Sequence, residues 1–276
     1  MRRSISATLA VAAAIWAAQA AGVSAQTPDW SGAYLGAFAG SVSGDSAATT
    51  EIGCVDGGYI CSPVQYLDNG ALVGATGSGS AGATAFIGGG FIGRNWQNGE
   101  VVYGLEADIG AMPLSITNGG SAASVNAGIV NNGVPATFSM HVTASTDWLA
   151  TARARVGFLP LPGLLLYGTA GIAATTLTVS NAYADDYVFT DYSGPSGGHE
   201  NASTSEFRTA LVLGAGAEWA MAEHWTMRAE YLHADFGTLA VAGSISYADL
   251  WIDVNPANST ASLSTDIVRV GLAYGF

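Results

Sequence analysis

Alternation between bulky apolar and small or polar side chains is the clearest pattern in this sequence, and it is strongest at the C-terminus. Every second residue from Val268 to Phe276 is large and apolar, whereas the positions between them hold two glycines, an alanine and Arg269. A repeat of two residues is that of a β-strand, whose side chains point alternately to its two faces. The pattern therefore predicts a strand over residues 265–276.

The same alternation recurs along the chain and predicts an all-β fold. We predict eight strands, at residues 30–41, 81–94, 100–112, 147–158, 164–178, 206–220, 225–237 and 265–276. The short connections lie near 95–99, 159–163 and 221–224, and the long ones cover 42–80, 113–146, 179–205 and 238–264. This alternation in length is typical of an eight-stranded antiparallel transmembrane β-barrel with short periplasmic turns and long extracellular loops.

Charged residues lie on the small-residue face of the predicted strands, opposite the apolar face. They are Glu106, Asp108, Arg153, Arg155, Glu218, Arg228, Glu230 and Arg269. Buried charges are stable only when they are paired and hydrogen-bonded. Adjacent strands at matching depths suggest three pairs, namely Glu106 with Arg153, Glu218 with Arg228, and Glu230 with Arg269. We therefore predict an ion network inside the barrel and apolar faces that point outward to lipid.

Two other arrangements compete with this interpretation. An open sheet with a solvated charged face would need a large second sheet to cover its apolar face. A secreted soluble barrel that carries a small apolar ligand would place apolar groups inside and polar groups outside. Aromatic residues near the short turns favour the membrane, because aromatic girdles mark membrane interfaces. These residues are Trp30, Trp96, Tyr167, Trp219, Trp225 and Phe276.

The N-terminus predicts export. Arg2 and Arg3 precede the apolar stretch 5–21, and Val23-Ser24-Ala25 offers the small residues that signal peptidase requires. We expect a signal peptide over residues 1–25, with cleavage after Ala20 as the alternative, and one β-barrel domain over 26–276. An uncleaved membrane anchor is a further alternative, although the apolar stretch is short for a span.

Composition narrows the class of partner. The chain contains eight basic residues, all of them arginines, against 21 acidic residues, and only 11% of its residues are charged. Soluble domains usually carry about 25% charged residues. Nucleic acid is excluded as a partner, because phosphate binding requires clustered positive charge.

Candidate chemistry is sparse, and we predict no catalytic residue, no metal site and no cofactor. Cys54 and Cys61 are the only cysteines, and an exported chain favours a disulfide between them over two free thiols. His233 and Asp235 would suit a hydrolase only with a nucleophile or an activated water, for which the sequence offers no motif. The sequence Gly77–Gly82 has the spacing of a nucleotide loop but precedes a predicted strand rather than a helix.

The predicted long loops are acidic. Their carboxylates are Asp45, Glu51, Asp56, Asp68, Asp185, Asp186, Asp191, Glu200, Asp249 and Asp253. Carboxylates suit Ca²⁺ and Mg²⁺. As a hypothesis, divalent cations at these loops bridge to lipopolysaccharide phosphates, and simple solvation is the alternative.

Several motifs together resemble a known family. They are Trp30-Ser31-Gly32-Ala33-Tyr34-Leu35-Gly36, Tyr103-Gly104-Leu105-Glu106-Ala107-Asp108, Arg153-Ala154-Arg155-Val156-Gly157, Tyr167-Gly168-Thr169-Ala170-Gly171, Gly214-Ala215-Gly216-Ala217-Glu218-Trp219, Arg228-Ala229-Glu230-Tyr231 and Gly271-Leu272-Ala273-Tyr274-Gly275-Phe276. In this order they resemble the small outer-membrane immunogenic proteins of α-proteobacteria, within the porin and opacity-protein superfamily. The absence of Lys and the long first and second loops depart from that family.

The resemblance implies an eight-stranded barrel of the Gram-negative outer membrane with structural and surface-antigen roles. It also implies that Tyr274 and Phe276 belong to a C-terminal signal for the barrel-assembly machinery. The sequence therefore predicts a non-enzymatic, envelope-reinforcing barrel whose partners are outer-membrane lipid and lipopolysaccharide. A narrow cation-preferring pore is the alternative, because the chain is acidic, and loop-mediated adhesion or ligand binding is a further alternative.

Overall fold

The computed structural model describes residues 29–276 apart from 57, 59, 62–66, 125–129, 132–133, 188–196 and 248–253. The predicted signal peptide, and with it the choice between the two cleavage sites, lies outside the described residues. The long strands are β1 Gly32–Ile52, β2 Gly79–Asn98, β3 Val101–Ala123, β4 Thr137–Leu161, β5 Leu164–Asp185, β6 His199–Ala222, β7 Trp225–Ile245 and β8 Asn255–Gly275. Helix α1, Leu67–Gly77, follows β1, and two-residue strands at Val130–Asn131 and Val134–Pro135 pair between β3 and β4.

The eight long strands form one closed antiparallel ring. Each strand pairs with its neighbours in sequence, and β8 returns to β1, where Tyr34 lies opposite Gly275 and Ile52 lies opposite Ala257. The predicted eight-stranded antiparallel barrel is confirmed. Within the described ranges, no helix is both long and apolar enough to cross a membrane.

The strands extend much further than the sequence pattern indicated. They contain between 20 and 25 residues each, whereas about 9–11 tilted residues cross the hydrocarbon of a bilayer. Much of the chain predicted as long loops, at 42–80, 113–146, 179–205 and 238–264, is therefore strand. We call the half of the barrel next to the short turns the inner half and the remainder the outer half.

The polarity of the two strand faces reverses between these halves, as β8 shows. In the inner half, Val270 and Leu272 point outward and Arg269 points into the barrel. In the outer half, Ala261 and Leu263 are fully buried inside, while the residues between and beside them are polar and point outward. The inner half thus has the pattern of a membrane barrel, and the outer half has that of a water-soluble one.

The same reversal occurs around the ring. On β1 the outward residues change from alanine and leucine to serine, threonine and acid after Ala39. On β5 they change from Ile172 and Ala174 to threonine and serine from Thr176 onward. The apolar outward residues of the inner half form a continuous belt, which we call the lipid band.

On β1 and β8 the outer segments escaped prediction because serine, threonine and alanine alternate there with other small residues. On β3, the alternation of Leu114 and Ile116 with Ser115 and Thr117 was a usable signal that sequence analysis missed.

The outer half is divided into two sheets. Strands β2 and β3 pair from their turn only as far as Gly88 and Ala111, and β6 and β7 only as far as Val212 and Ala234. The other neighbours stay paired over most of their length. The outer half therefore consists of the sheets β2-β1-β8-β7 and β3-β4-β5-β6. Their inner faces enclose an apolar core that includes Leu114.

The aromatic residues near the short turns separate into two groups. Trp96 stacks on Tyr103, with ring centroids 5.8 Å apart, on the outer surface of the lipid band. Trp225 is also exposed there. Trp30 and Tyr167 are instead buried inside the barrel base, so they do not belong to the predicted interface girdle.

Two substitutions on the outward face of β8 test where the membrane ends. We expect Leu272→Arg to lower the free energy of unfolding by about 2–4 kcal/mol, because it places a cation in hydrocarbon. Asn258→Arg, on the same strand in the outer half, should change it by less than about 0.5 kcal/mol. Urea titration of tryptophan fluorescence in phospholipid vesicles measures both. Equal effects of the two substitutions would contradict the assigned boundary.

Candidate functional site: the filled barrel interior

An ion network fills the inner half of the barrel. Its charged residues come from β3 (Glu106, Asp108), β4 (Arg153, Arg155), β6 (Glu218), β7 (Arg228, Glu230) and β8 (Arg269), and all are buried. They lie on the inward face because they share the two-residue alternation of their strands with the small residues. Four arginines meet four carboxylates, so the set is formally neutral. The structure thus brings together all eight residues that the sequence singled out.

Glu106 is the central acceptor of the network. One carboxylate oxygen lies 2.6 Å from Nη2 of Arg153, and the other accepts hydrogen bonds from Arg228 and from the hydroxyl of Tyr34, the latter at 2.9 Å. Arg155 is 3.5 Å from the second oxygen. Three guanidinium groups therefore depend on this one carboxylate.

The remaining carboxylates link the arginines to one another. Glu230 lies 2.7 Å from Arg153 and 2.6 Å from Arg269. Asp108 lies 2.8 Å from each of the same two guanidinium groups. Glu218 lies 2.7 Å from Arg155.

All three predicted pairs are present, and the weakest is Glu218 with Arg228 at 3.6 Å. Each charge also has partners that lie farther away in sequence. Arg228, for example, reaches Glu106 across the barrel from β7 to β3. The network is therefore a single connected set rather than three separate pairs.

Aromatic rings support the guanidinium groups, and sequence analysis missed this role. The guanidinium carbon of Arg228 lies 3.5 Å from the ring centroid of Phe91, and that of Arg269 lies 4.2 Å from the centroid of Phe38. Arg155 lies 4.0 Å above Tyr167. Several N–H groups of these arginines make no hydrogen bond within the described part of the chain. The electron-rich ring faces compensate in part for that loss.

Glycine makes room for these rings. A Cβ atom at Gly36 would lie 2.3 Å from the ring of Phe91, which is far closer than van der Waals contact. The alternation of glycine with Tyr34 and Phe38 in β1 was the sequence signal for this packing. From this alternation, Tyr34 and Phe38 could have been assigned to the inward face.

Two further arginines lie outside the network. Arg94 points outward near the short turn, where it lies 5.6 Å from the ring of Trp96. Arg208 pairs with Glu206 at 2.9 Å, in the region where β6 has left β7. Arg94 therefore adds no charge to the barrel interior, and Arg208 lies on the inward face of β6 with Glu206, whose opposite charge balances it.

A folded lobe covers the outer end of the barrel. Cys54 and Cys61 form the predicted disulfide, and helix α1 packs on it, since a Cβ at Gly70 would lie 2.5 Å from Sγ of Cys61. The buried side chain of Asn255 fixes the lobe to β8. Its Oδ1 accepts from the backbone N–H of Ile60 at 2.6 Å, and its Nδ2 donates to the carbonyls of Gly53 and Cys61, each at 2.9 Å.

The other candidate residues do not converge on a chemical site. His233 lies on the outer surface, where its Nδ1 is 2.9 Å from Asp266, and Tyr231 donates to the same carboxylate. Asp235 accepts a hydrogen bond from the backbone of Gly237. The sequence Gly77–Gly82 joins α1 to β2. Within the described ranges, no three acidic, histidine or cysteine residues are grouped to hold a metal ion.

The acidic residues of the predicted loops are dispersed. Asp45 and Glu51 lie on the outward face of β1, and Asp186 accepts from the backbone and hydroxyl of Thr137. Asp191, Asp249 and Asp253 lie outside the described residues.

Glu200 is an exception, because it points into the outer half rather than to solvent. It lies opposite Tyr183 of β5 and is buried, with its carboxylate against Gly243 of β7. A single bridge between His199 and Ser246 joins β6 to the end of β7 beside it. Burial raises the pKa of Glu200 to about 7, although the backbone N–H of Ser244 partly opposes this shift.

The C-terminal residues lie on the outer surface at the base of the barrel. Tyr274 packs edge-on against Trp225, with centroids 5.2 Å apart, and against Phe276 at 5.3 Å. The backbone N–H of Phe276 donates to Ala33 at 2.9 Å. Recognition of Tyr274 and Phe276 by the barrel-assembly machinery stays a prediction.

Comparisons with known proteins agree with this architecture. A family model described as outer membrane protein beta-barrel domain matches residues 6–276. The 31 kDa outer-membrane immunogenic protein of Brucella melitensis is 29% identical over 251 residues, which cover 91% of this chain and 85% of that protein. The 22 kDa outer membrane protein of Rhizobium leguminosarum bv. viciae is 29% identical over 146 residues, covering 53% and 50% of the two chains. The predicted family resemblance is confirmed.

Among solved structures, the outer membrane protease OmpT of Escherichia coli aligns with a TM-score of 0.43 at 8% sequence identity. The alignment covers 92% of this chain and 99% of that one.

Removal of the central negative charge should destabilise the barrel. We expect Glu106→Gln to lower the free energy of unfolding in vesicles by about 3 kcal/mol, because it leaves buried guanidinium groups without their counter-charge. Glu100→Gln, at an exposed turn, is the control and should change it by less than about 0.5 kcal/mol. If both variants unfolded at the same urea concentration, the network would not contribute to stability as described.

Glu200 should make stability depend on pH. Its pKa is about 7 in the folded protein, against an ordinary value of 4.5, so the folded state holds the proton more tightly than the unfolded chain. The free energy of unfolding should therefore fall as pH rises from about 4.5 to about 7. Glu200→Gln should remove this decline, whereas Glu51→Gln, on the outward face, should retain it. Urea titrations across that pH range would reject the assignment if the two variants had the same pH profile.

Proposed function

This chain belongs to the outer membrane protein beta-barrel domain family, and from that membership we propose that it is a closed, non-conducting barrel that reinforces the envelope and holds a folded β-structure above the membrane. It is a barrel of the Gram-negative outer membrane, as its relatives are outer-membrane proteins. The observation that carries the proposal is the filled interior. In the described part of the chain, both halves of the barrel are packed along the axis with their own side chains.

In the inner half, every arginine of the network is held by at least one carboxylate at 2.5–2.8 Å. An ion that entered would have to displace such a bond in a medium of low dielectric constant. The set is also neutral, so it lacks the excess of acidic groups that a cation-selective pore uses.

In the outer half, the lumen is mainly apolar. Met112, Leu114 and Ile116 of β3 are fully or almost fully buried there, together with Leu177 of β5 and Leu263 of β8. Such a core offers few ligands to a hydrated ion, and two of its buried polar side chains, Asn118 and Asn181, hydrogen-bond to Ser46 and to the backbone of Ala257. It supports a structural role over the cation-preferring pore that the net charge of the chain favours.

A non-enzymatic role is part of the same proposal. The charged residues of the network are surrounded by one another and by aromatic rings, and all of them are buried. Relatives described as immunogenic outer-membrane proteins support display at the cell surface. Adhesion or ligand binding would then belong to the outer half, the only part of the barrel that rises above the lipid band.

Planar-bilayer recordings test the proposal. We expect the purified protein to give no reproducible conductance step, with a general porin in the same bilayers as the positive control. A cation-selective step that Glu106→Gln alters would contradict the proposal, because it would place the ion path through the network. Conductance that Glu106→Gln leaves unchanged would also contradict it, since current would then bypass the packed interior.

A further inference from the structure

The outward face of the sheet β3-β4-β5-β6 in the outer half carries no formal charge between two carboxylates at its edges, Asp147 next to the lipid band and Asp186 at the outer end. We call it the hydroxyl face, and it comprises the outward positions of β3 from Ser115, of β4 up to Ser145, of β5 from Thr176 and of β6 up to Ser205. Serine and threonine dominate these positions, which otherwise hold glycine, alanine, one asparagine and two histidines. They include no Asp, Glu, Lys or Arg.

The corresponding face of the other sheet differs. It carries Asp45 and Glu51 on β1, Asp235 on β7 and Asp266 on β8. Exposed protein surfaces normally carry about 25–35% charged residues. One side of the outer half is therefore acidic, and the other is neutral over four adjacent strands.

The hydroxyl groups form an ordered array. Oγ1 of Thr117 lies 2.9 Å from Oγ1 of Thr143 across the β3–β4 pair, and Oγ1 of Thr178 lies 2.8 Å from Oγ of Ser205 across the β5–β6 pair. All of these atoms are at the exposed surface. A hydroxyl group has one donor and two acceptor sites, so each pair keeps hydrogen-bonding capacity for a ligand above the sheet.

The hydroxyl face continues directly from the lipid band. On β4, the exposed Asp147 lies between Ser145 and Trp148, and the ring of Trp148 lies 6.2 Å from that of Phe207 on β6. On β5, Ala174 and then Ile172 continue the lipid band below Thr176. With about ten residues per strand at roughly 3.4 Å each and a tilt of about 40°, the face rises about 25 Å above the hydrocarbon. The groups that surround it are the saccharides of the outer-leaflet lipid.

We propose that the hydroxyl face binds the uncharged sugar residues of neighbouring lipopolysaccharide molecules. Sugar hydroxyls donate and accept hydrogen bonds as serine and threonine do, and a flat neutral sheet presents many of them at once. Lipopolysaccharide phosphates are not the ligand, because phosphate recognition relies on Arg or Lys and this face has neither. The binding deepens the surface role proposed above but does not require the lumen to be closed.

Lipid retention by the unaltered protein is the first test. Protein in detergent is mixed with either rough lipopolysaccharide, which contains lipid A and core sugars, or lipid A alone, and native mass spectrometry measures the bound fraction. We expect about tenfold tighter retention of rough lipopolysaccharide, as a few net hydrogen bonds would supply. Enzymatic removal of its phosphates should leave that preference intact. Equal retention of the two lipids, or loss of the preference with the phosphates, would overturn the proposal.

Matched triple variants locate the binding surface. Thr117→Val, Thr143→Val and Thr178→Val together remove three hydroxyls from the hydroxyl face while keeping β-branched side chains. Thr49→Val, Thr84→Val and Thr260→Val remove three from the opposite face. We expect the first set to abolish the preference for rough lipopolysaccharide and the second to retain it. The same loss in both sets, or a change of oligomeric state with the first set alone, would show that this face does not bind sugar.

Discussion

The structure depends on keeping eight charged side chains neutralised inside a wall that faces hydrocarbon. These side chains are buried, so each guanidinium must find its carboxylate and each carboxylate its donors within the barrel. This requirement fixes the register of the strands. A shift of one residue in any strand would turn its inward charges to lipid and its lipid-facing residues inward. Glu106 contributes most to this neutralisation, since three arginines converge on it.

The medium outside the barrel explains the reversal of polarity along each strand. Within the membrane, the outward residues must be apolar, and the inward positions are then the only place for charge. Above the membrane, water and saccharide surround the wall, and the apolar residues move inside, as Leu263 shows on the same strand that carries Arg269. The alternative of a soluble barrel, with apolar groups inside and polar groups outside, therefore describes the outer half but not the inner half.

The inner half, the outer half and the lobe at the outer end each close the barrel in a different way. The inner half is closed by continuous strand pairing around the ring, and its axis is filled by ions and rings. In the outer half, β2 no longer pairs with β3 and β6 no longer pairs with β7. This half closes instead because its two sheets pack over an apolar core. The lobe of Cys54, Cys61 and α1 covers its outer end. Because the described residues pack the interior at these three levels, the proposed contacts with partners are assigned to the surface of the outer half.

The sequence by itself determined the all-β fold, the strand number, the disulfide and the inward position of the charged residues. These features are local, because a two-residue repeat is visible wherever neighbouring side chains differ strongly in size or polarity. Only the tertiary structure decided the rest. Contacts such as that of Arg269 with Asp108, 161 residues apart, exist only once β8 has closed on β1. The outer segments of β1 and β8 were also hidden from the sequence, since serine, threonine and alanine occupy both of their faces and acquire an inside and an outside only when two sheets face each other.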